Sequence, residues 1–302
     1  MGITPQHATM IIREHLYKAL PETICLIGRQ CMFFDYETAL HLCRKEGFEP
    51  HSCDVNIDRQ TNEAKIIKTQ SNKDCITDET FFKMLGVKNI QAIDISDYEG
   101  AEIILDLNKP IPPAFESTVD FIFGGSVCDN VFDPAMYLKN VNRLLKPGGR
   151  LLDQNVASVH YRAYAILPPP WYFDYFVVNR FGDCKIYVFE VLNYWNIYAL
   201  EVFPNENIGV GCGLIENFVS DSVDAVIGVF IIAEKDRDST WQVTPTQDAY
   251  RSEEEWRTYF PNLSKIRASS RPFWTFKMPE QEELLRLPPK NIPGYRFVGR
   301  FF

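Results

Sequence analysis

Short apolar runs ending in Asp or Gly alternate with helical segments through the first half of this chain. That rhythm constrains its fold more than any other feature. Thr23-Ile24-Cys25-Leu26-Ile27 reads as a buried strand that closes at Gly28. A second run, 87–96, is centred on residues 90–93 and closes at Asp94. A third, 102–105, passes into Asp106-Leu107-Asn108, and a fourth, 119–123, into Gly124-Gly125-Ser126. The fifth begins at Arg150 and leads through Asp153 to Gln154-Asn155. Between them lie helical patterns. One covers 36–46 and is closed by Gly47; another covers 79–85, with Asp78 as its cap and Gly86 at its end. A third starts at Asp133-Pro134, with Pro in the first helical position. Met136, Leu138, Val141, Leu144 and Leu145 form its apolar stripe, and Lys146-Pro147-Gly148-Gly149 stops it. Strands that alternate with helices predict a parallel sheet with right-handed crossovers.

The remaining segments add to this core. Ile11, Ile12, His15, Leu16 and Ala19 recur at helical spacing, so 1–20 reads as a leading helix. The polar stretch 48–78 has no clear period and is expected to be a flap, a hairpin insert or a mobile loop. After Pro168-Pro169-Pro170 comes an aromatic helix over 171–179, and 185–192 and 223–233 read as strands. A second insert, 193–222, separates them. Ser252 and Glu255 form a capping-box signature for a helix over 252–260. The organisation expected is a single domain over 1–302: helix 1–20, inserts 48–78 and 193–222, and an extension over 235–302.

Composition narrows the partners. Thirty-one Lys and Arg against 40 Asp and Glu give a net charge of −9, which argues against a nucleic-acid binder with its basic stripe. No apolar stretch is long enough to span a bilayer, and the charged first twenty residues do not read as a signal peptide. The eight cysteines show neither CxxC spacing nor a Cys/His grouping that reads as a zinc site. A cytoplasmic protein with free thiols, no metal and no membrane association is expected.

In open parallel sheets, ligands sit beyond the carboxyl ends of the strands. The candidate site residues are therefore those just after each strand. Asp94 is placed to accept hydrogen bonds from ribose hydroxyls, or else to cap the next turn. Asp106 reads equally as a contact to a base amino group or as an ordinary Asp-Leu-Asn turn. Gly28, Gly125 and Ser126 sit where backbone must approach a ligand closely, or where the chain simply turns.

These residues also carry a family resemblance. Ile93-Asp94-Ile95-Ser96, Asp106-Leu107-Asn108, Val119-Asp120-Phe121-Ile122-Phe123, Asp129-Asn130-Val131-Phe132-Asp133-Pro134 and Arg143-Leu144-Leu145-Lys146-Pro147-Gly148-Gly149 together resemble the middle of a class I S-adenosylmethionine-dependent methyltransferase. The closing run is the most specific element, and the resemblance covers about two thirds of the chain. It implies a Rossmann-like α/β fold with a seven-stranded, mostly parallel sheet, an antiparallel terminal strand and helices on both faces. It also implies S-adenosyl-L-methionine as cofactor, held by Gly28, Arg29, Gln30, Asp94, Ile95, Asp106, Leu107, Gly125 and Ser126. The chain departs from the family in three ways. The loop after the first strand keeps a single glycine, Gly28. Gly28 and Asp94 lie much further apart than the roughly 20 residues usual in nucleotide folds. Asp129-Asn130 stands where many relatives carry Glu-His.

The acceptor side falls after the fifth strand. His160 is the candidate base, because an imidazole with a pKa near 6.5 can deprotonate a hydroxyl at neutral pH; a hydrogen-bonded loop histidine is the competing reading. Tyr161, Tyr164, Trp171 and Tyr172 are candidate acceptor contacts, although aromatic residues at helical spacing are more often core. The expected function is methyl transfer to a small or medium-sized molecule, with O-methylation by in-line displacement. A homo-oligomer is compatible with the sequence. A catalytically inactive methyltransferase-like binding or regulatory protein is the alternative. A nicotinamide-dependent oxidoreductase would need GxGxxG after the first strand, and Gly28-Arg29-Gln30-Cys31-Met32-Phe33 does not supply it.

Overall fold

The computed structural model describes residues 2–158, 163–191, 195–200, 226–278 and 295–301. In chain order the elements are β1 (Gly2–Ile3), α1 (Pro5–Tyr17), β2 (Thr23–Ile27), β3 (Cys31–Met32), α2 (Tyr36–Lys45), α3 (Asn62–Ser71), α4 (Asp78–Met84), β4 (Asn89–Asp94) and β5 (Ile103–Ile104). They continue with β6 (Val119–Gly125), α5 (Pro134–Leu144), β7 (Leu145–Val156), α6 (Pro169–Val178), β8 (Asp183–Val191), β9 (Trp195–Leu200), β10 (Val226–Glu234), α7 (Glu253–Arg267) and β11 (Tyr295–Phe301). The chain divides into two compact units, 1–153 and 154–302.

In the first unit the strands lie in the order β7-β6-β2-β4-β5. β2 pairs in parallel with both β4 and β6, and β4 with β5. Burial is the reason for this order. Ile24, Cys25, Leu26 and Ile27 of β2 and Phe121, Ile122 and Phe123 of β6 are all within a few per cent of complete burial. Such continuous apolar runs belong to strands covered on both faces. Each helix begins on a side-chain cap from the sequence: Asp35 for α2, Thr61 for α3, Thr77 for α4 and Asp133 for α5.

Several boundaries in the first unit differ from the sequence expectation. Stretch 48–78 holds a helix, α3, of which only Ala64 is buried; with a single buried position it carries no readable period. α4 is capped by the hydroxyl of Thr77, not by Asp78, whose carboxylate is drawn elsewhere. Lys146-Pro147-Gly148-Gly149 does not form a turn between α5 and the next strand. It is already part of β7, which starts as α5 ends.

The second unit is antiparallel. β10 pairs with β8 over nine residues each, β8 with β9, and β9 with β11. The end of β7 also belongs here: the Ala157 amide donates to the Ile227 carbonyl at 2.8 Å. β9 and β11 are two strands beyond the seven expected, the first within the stretch read as an insert and the second within the C-terminal extension. The rest of that insert lies outside the described residues. α7 opens on the expected Ser252–Glu255 capping box but runs on to Arg267 through Pro261. Replacing Ser252 by alanine is expected to cost about 1 kcal/mol, read as a lower urea midpoint at unchanged slope. Between Phe297 and Gly299, β11 carries a bulge. Gly299 has φ 124°, and a Cβ there would sit 2.6 Å from the Phe276 backbone, so only glycine fits.

The fold is thus α/β and Rossmann-like. Strand order turns back between β2 and β6, which makes the carboxyl end of that pair the switch point where such sheets bind ligands.

Candidate functional site

A cleft of about 200 Å³ opens at this switch point, wholly within the first unit. Ile27 and Gly28 line it from the end of β2, and Ile93, Asp94 and Ile95 from the end of β4. Leu105, Asp106, Leu107 and Asn108 come after β5, and Val127, Asn130 and Val131 after β6. Most of the walls are aliphatic, and the polar groups lie at a few fixed points, as ligand clefts usually require.

Gly28 takes φ 71° and its amide donates to the Ile93 carbonyl at 2.7 Å. The bond ties β2 to β4 in a conformation that favours glycine, and the missing side chain leaves the backbone open to a ligand. Asp94 is half-buried. Its Oδ1 accepts the Ile95 amide at 2.6 Å, and its other oxygen has no partner among the described residues. Beside it Ile95 is 64% exposed, an apolar side chain at the rim next to a carboxylate with acceptor capacity to spare.

Asp106 is engaged within its own turn. Its Oδ1 accepts both the amide and the Nδ2 of Asn108 at 3.0 Å, and its Oδ2 pairs with Lys109 at 2.9 Å. The Lys109 ammonium and then the Asn108 bonds hold this carboxyl below the usual range. Asn108 in turn accepts the amides of Phe132 and Asp133 at 2.8 and 3.0 Å, clipping the turn to the start of α5. Leu107 is buried beneath, its carbonyl held by Asn140 Nδ2 at 3.0 Å.

Arg29, Gln30, Gly125 and Ser126 do not line the cleft; they hold the loops around it. Arg29 is buried among Glu102, Asp78 at 3.5 Å and Glu79 at 3.7 Å. Gln30 donates through Nε2 to the carbonyls of Ile27 and Gly28 at 3.0 and 3.1 Å. It lies so close to Gly125 that any side chain there would run into its carboxamide. Ser126 adopts φ 59°. Its Oγ donates to both oxygens of Asp129, and its carbonyl accepts Asn130 Nδ2 at 2.6 Å. That left-handed turn delivers Val127, Asn130 and Val131 to the cleft. Sequence reasoning passes over these three; the one signal is Asp129-Asn130 in place of Glu-His.

Asp78 supports the first loop from a distant part of the chain. Its Oδ2 accepts the Gln30 amide at 2.8 Å and its Oδ1 the Glu79 amide at 2.7 Å. Burial outweighs the Arg29 guanidinium and pushes its carboxyl up to about 6. The folded state therefore holds a proton that the unfolded chain, with a carboxyl near 3.9, has already lost. The penalty of burying this charge is absent at pH 4, grows through pH 6 and is complete at pH 7. Asp78→Asn is expected to flatten the stability profile across that window by up to about 3 kcal/mol. Urea melts of both proteins at pH 4 and pH 7 check this.

Of the residues expected to meet an acceptor, His160 and Tyr161 lie outside the described residues. In the second unit Tyr164 is 74% exposed. Trp171 stands edge-on to Tyr172 at 5.0 Å, and Tyr172 is wholly buried on α6. Among the described residues, no three His, Cys, Asp or Glu side chains gather as a metal site, and no helix is long and apolar enough to cross a membrane.

Fold and cleft together define a Rossmann-like α/β protein with a largely aliphatic cleft at its switch point. No protein-family model and no curated protein matches the chain. Its fold is similar to that of solved methyltransferases. One is a 1,6-didemethyltoxoflavin-N1-methyltransferase from Burkholderia thailandensis, with 1,6-didemethyltoxoflavin and S-adenosylhomocysteine bound. The two are 11% identical over 77% of this chain and 78% of that one, with a TM-score of 0.36. A SAM-dependent methyltransferase from Archaeoglobus fulgidus is 14% identical over 76% and 94% of the two chains, with a TM-score of 0.36. Another, from Aquifex aeolicus, is 17% identical over 51% and 74%, with a TM-score of 0.29.

Proposed function

We propose that this protein is an S-adenosylmethionine-dependent methyltransferase that methylates a small or medium-sized molecule on oxygen. The observation that carries the reading is the half-buried Asp94 carboxylate, with one oxygen uncommitted, at the rim of an aliphatic cleft entered past Gly28. The donor set fits an adenosine moiety: a carboxylate for two ribose hydroxyls, aliphatic walls for the base, and bare backbone where the chain passes closest. When bound, the cofactor supplies an electrophilic methyl on a sulfonium whose leaving thioether needs no proton.

The protein's own work is then mainly orientation. Asp94 holds the ribose, Ile95 and Leu107 flank the base, and the Asp106-Asn108 lock keeps that wall in place. In this reading His160 takes the acceptor's proton at its ring nitrogen and Tyr161, Tyr164 and Trp171 contact the acceptor, whereas Tyr172, wholly buried on α6, belongs to the core. The negative charge of the chain favours a small-molecule acceptor over a polyanion.

Calorimetry with S-adenosylmethionine and S-adenosylhomocysteine tests the first half of this reading, and transfer of a labelled methyl group to a metabolite pool tests the second. Binding of both compounds with transfer to oxygen is expected. No binding of either would end the enzyme reading, and binding without transfer would favour a regulatory protein instead.

A further inference from the structure

Side chains from elsewhere hold the turn between β2 and β3. The Gly28 amide donates to the Ile93 carbonyl at 2.7 Å, and Gln30 Nε2 donates to the carbonyls of Ile27 and Gly28 at 3.0 and 3.1 Å. The Gln30 amide donates to Asp78 Oδ2 at 2.8 Å. Arg29 turns inward beside them. Its Nε donates to the Gly100 carbonyl at 3.3 Å, and its guanidinium meets Asp78 and Glu102. Glu102 in turn accepts the Ala92 amide of β4 at 2.7 Å. Arg29, Gln30 and Asp78 are all buried, so these bonds are made away from water, where an unmade one costs most. Two departures of the sequence thus meet at one place: a first loop with a single glycine, and a long stretch after it whose last residue, Asp78, braces that loop.

We propose that Asp78, acting through Gln30, is a positioning residue for the ligand of the cleft: its buried carboxylate sets the Gly28 backbone that the ligand passes. The proposal rests on the cofactor reading above. Both Asp78 oxygens accept amides, Oδ2 from Gln30 and Oδ1 from Glu79 at 2.7 Å, so the carboxylate fastens the loop to the first turn of α4. A protonated carboxyl turns one of those acceptors into a donor and loosens the joint. The charged groups facing Asp78 are Arg29 from the β2–β3 turn, itself paired with Glu102, and Glu79 on α4, itself paired with Lys83. Burial raises the carboxyl to about 6 against the pull of Arg29. The joint is therefore fully made at neutral pH, where the buried charge also lowers stability. A stability cost beside a binding site is what a functional group there commonly carries.

The test titrates S-adenosylhomocysteine calorimetrically into the full chain and into Asp78→Asn at pH 5 and pH 7.5, with urea melts under the same conditions. In the parent, affinity is expected to rise about fivefold from the lower pH to the higher, the worth of one hydrogen bond, while stability falls over the same interval. Asp78→Asn keeps one acceptor oxygen and no charge. It should bind about fivefold more weakly than the parent at pH 7.5 and show neither trend. Gln30→Met keeps the length of the side chain without its two donations and should lose about tenfold at pH 7.5. A residue that served folding alone would move affinity and stability in the same direction. Equal parent affinity at the two pH values, or an Asp78→Asn protein that binds as tightly as the parent at pH 7.5, would overturn the assignment and leave the cofactor reading standing. No binding by the parent at either pH would end the cofactor reading and this proposal with it.

Discussion

Replacing Asp94 by alanine is expected to weaken binding of S-adenosylhomocysteine about 100-fold while leaving the fold intact. Hydrogen bonds to a charged group contribute about 1.5–3 kcal/mol each. Two ribose hydroxyls on a half-exposed carboxylate fall toward the low end, about 3 kcal/mol together, and each 1.4 kcal/mol is tenfold in affinity. Asp94→Asn keeps one acceptor oxygen and should lose about tenfold. Because the carboxylate bonds only locally, to the Ile95 amide, melting should move little in either variant. Calorimetric titration of both variants, with circular dichroism as the control, decides the matter. An affinity within threefold of the parent in the alanine variant would remove Asp94 from the site, and with it the main support for the cofactor assignment.

A second large effect concerns stability. Arg150 is 2% exposed and Glu14 not at all. The guanidinium donates to the carbonyls of Glu14 and Ala19 at 3.2 and 2.9 Å, stands 3.7 Å from the Glu14 carboxylate and lies over the Phe121 ring. Glu14→Ala removes the buried carboxylate beside that cation, which costs about 3–5 kcal/mol. In a chain of this size the melting temperature should fall by roughly 10 °C. The double variant Glu14→Leu/Arg150→Met should recover much of the loss, because a well-packed apolar pair has no charge to desolvate. Equal instability of the single and double variants would show that packing, not the charge, was lost.

The strand ends are legible in the sequence. The apolar run Thr23–Ile27 matches β2 to the residue, and Asp133-Pro134 marks the start of α5. Gly28, Asp94, Ile95, Asp106 and Leu107 are separated along the chain, yet their shared position after strands groups them, and they do line one cleft. The reason is that buried parallel strands write themselves as apolar runs, and the residues just beyond each run face the ligand side. Other features have no local signature. The Asp78–Gln30 bond joins an insert to the first loop, and nothing near either residue announces it. Arg29 and Gln30 lie beyond a strand end like the others, yet turn inward because Asp78, Glu102 and the carbonyls of Ile27 and Gly28 are there to meet them. Val127, Asn130 and Val131 depend on a left-handed serine, a conformation that serine seldom adopts and composition does not forecast.

β5 is only two residues long, and it is the outermost strand on its side of the first unit. A longer Ile-rich strand in that position would present a row of unpaired amides and carbonyls to any passing chain. Two residues offer too few to seed pairing. The brevity that makes β5 a weak sequence signal thus serves as protection against edge-to-edge polymerisation in concentrated solution.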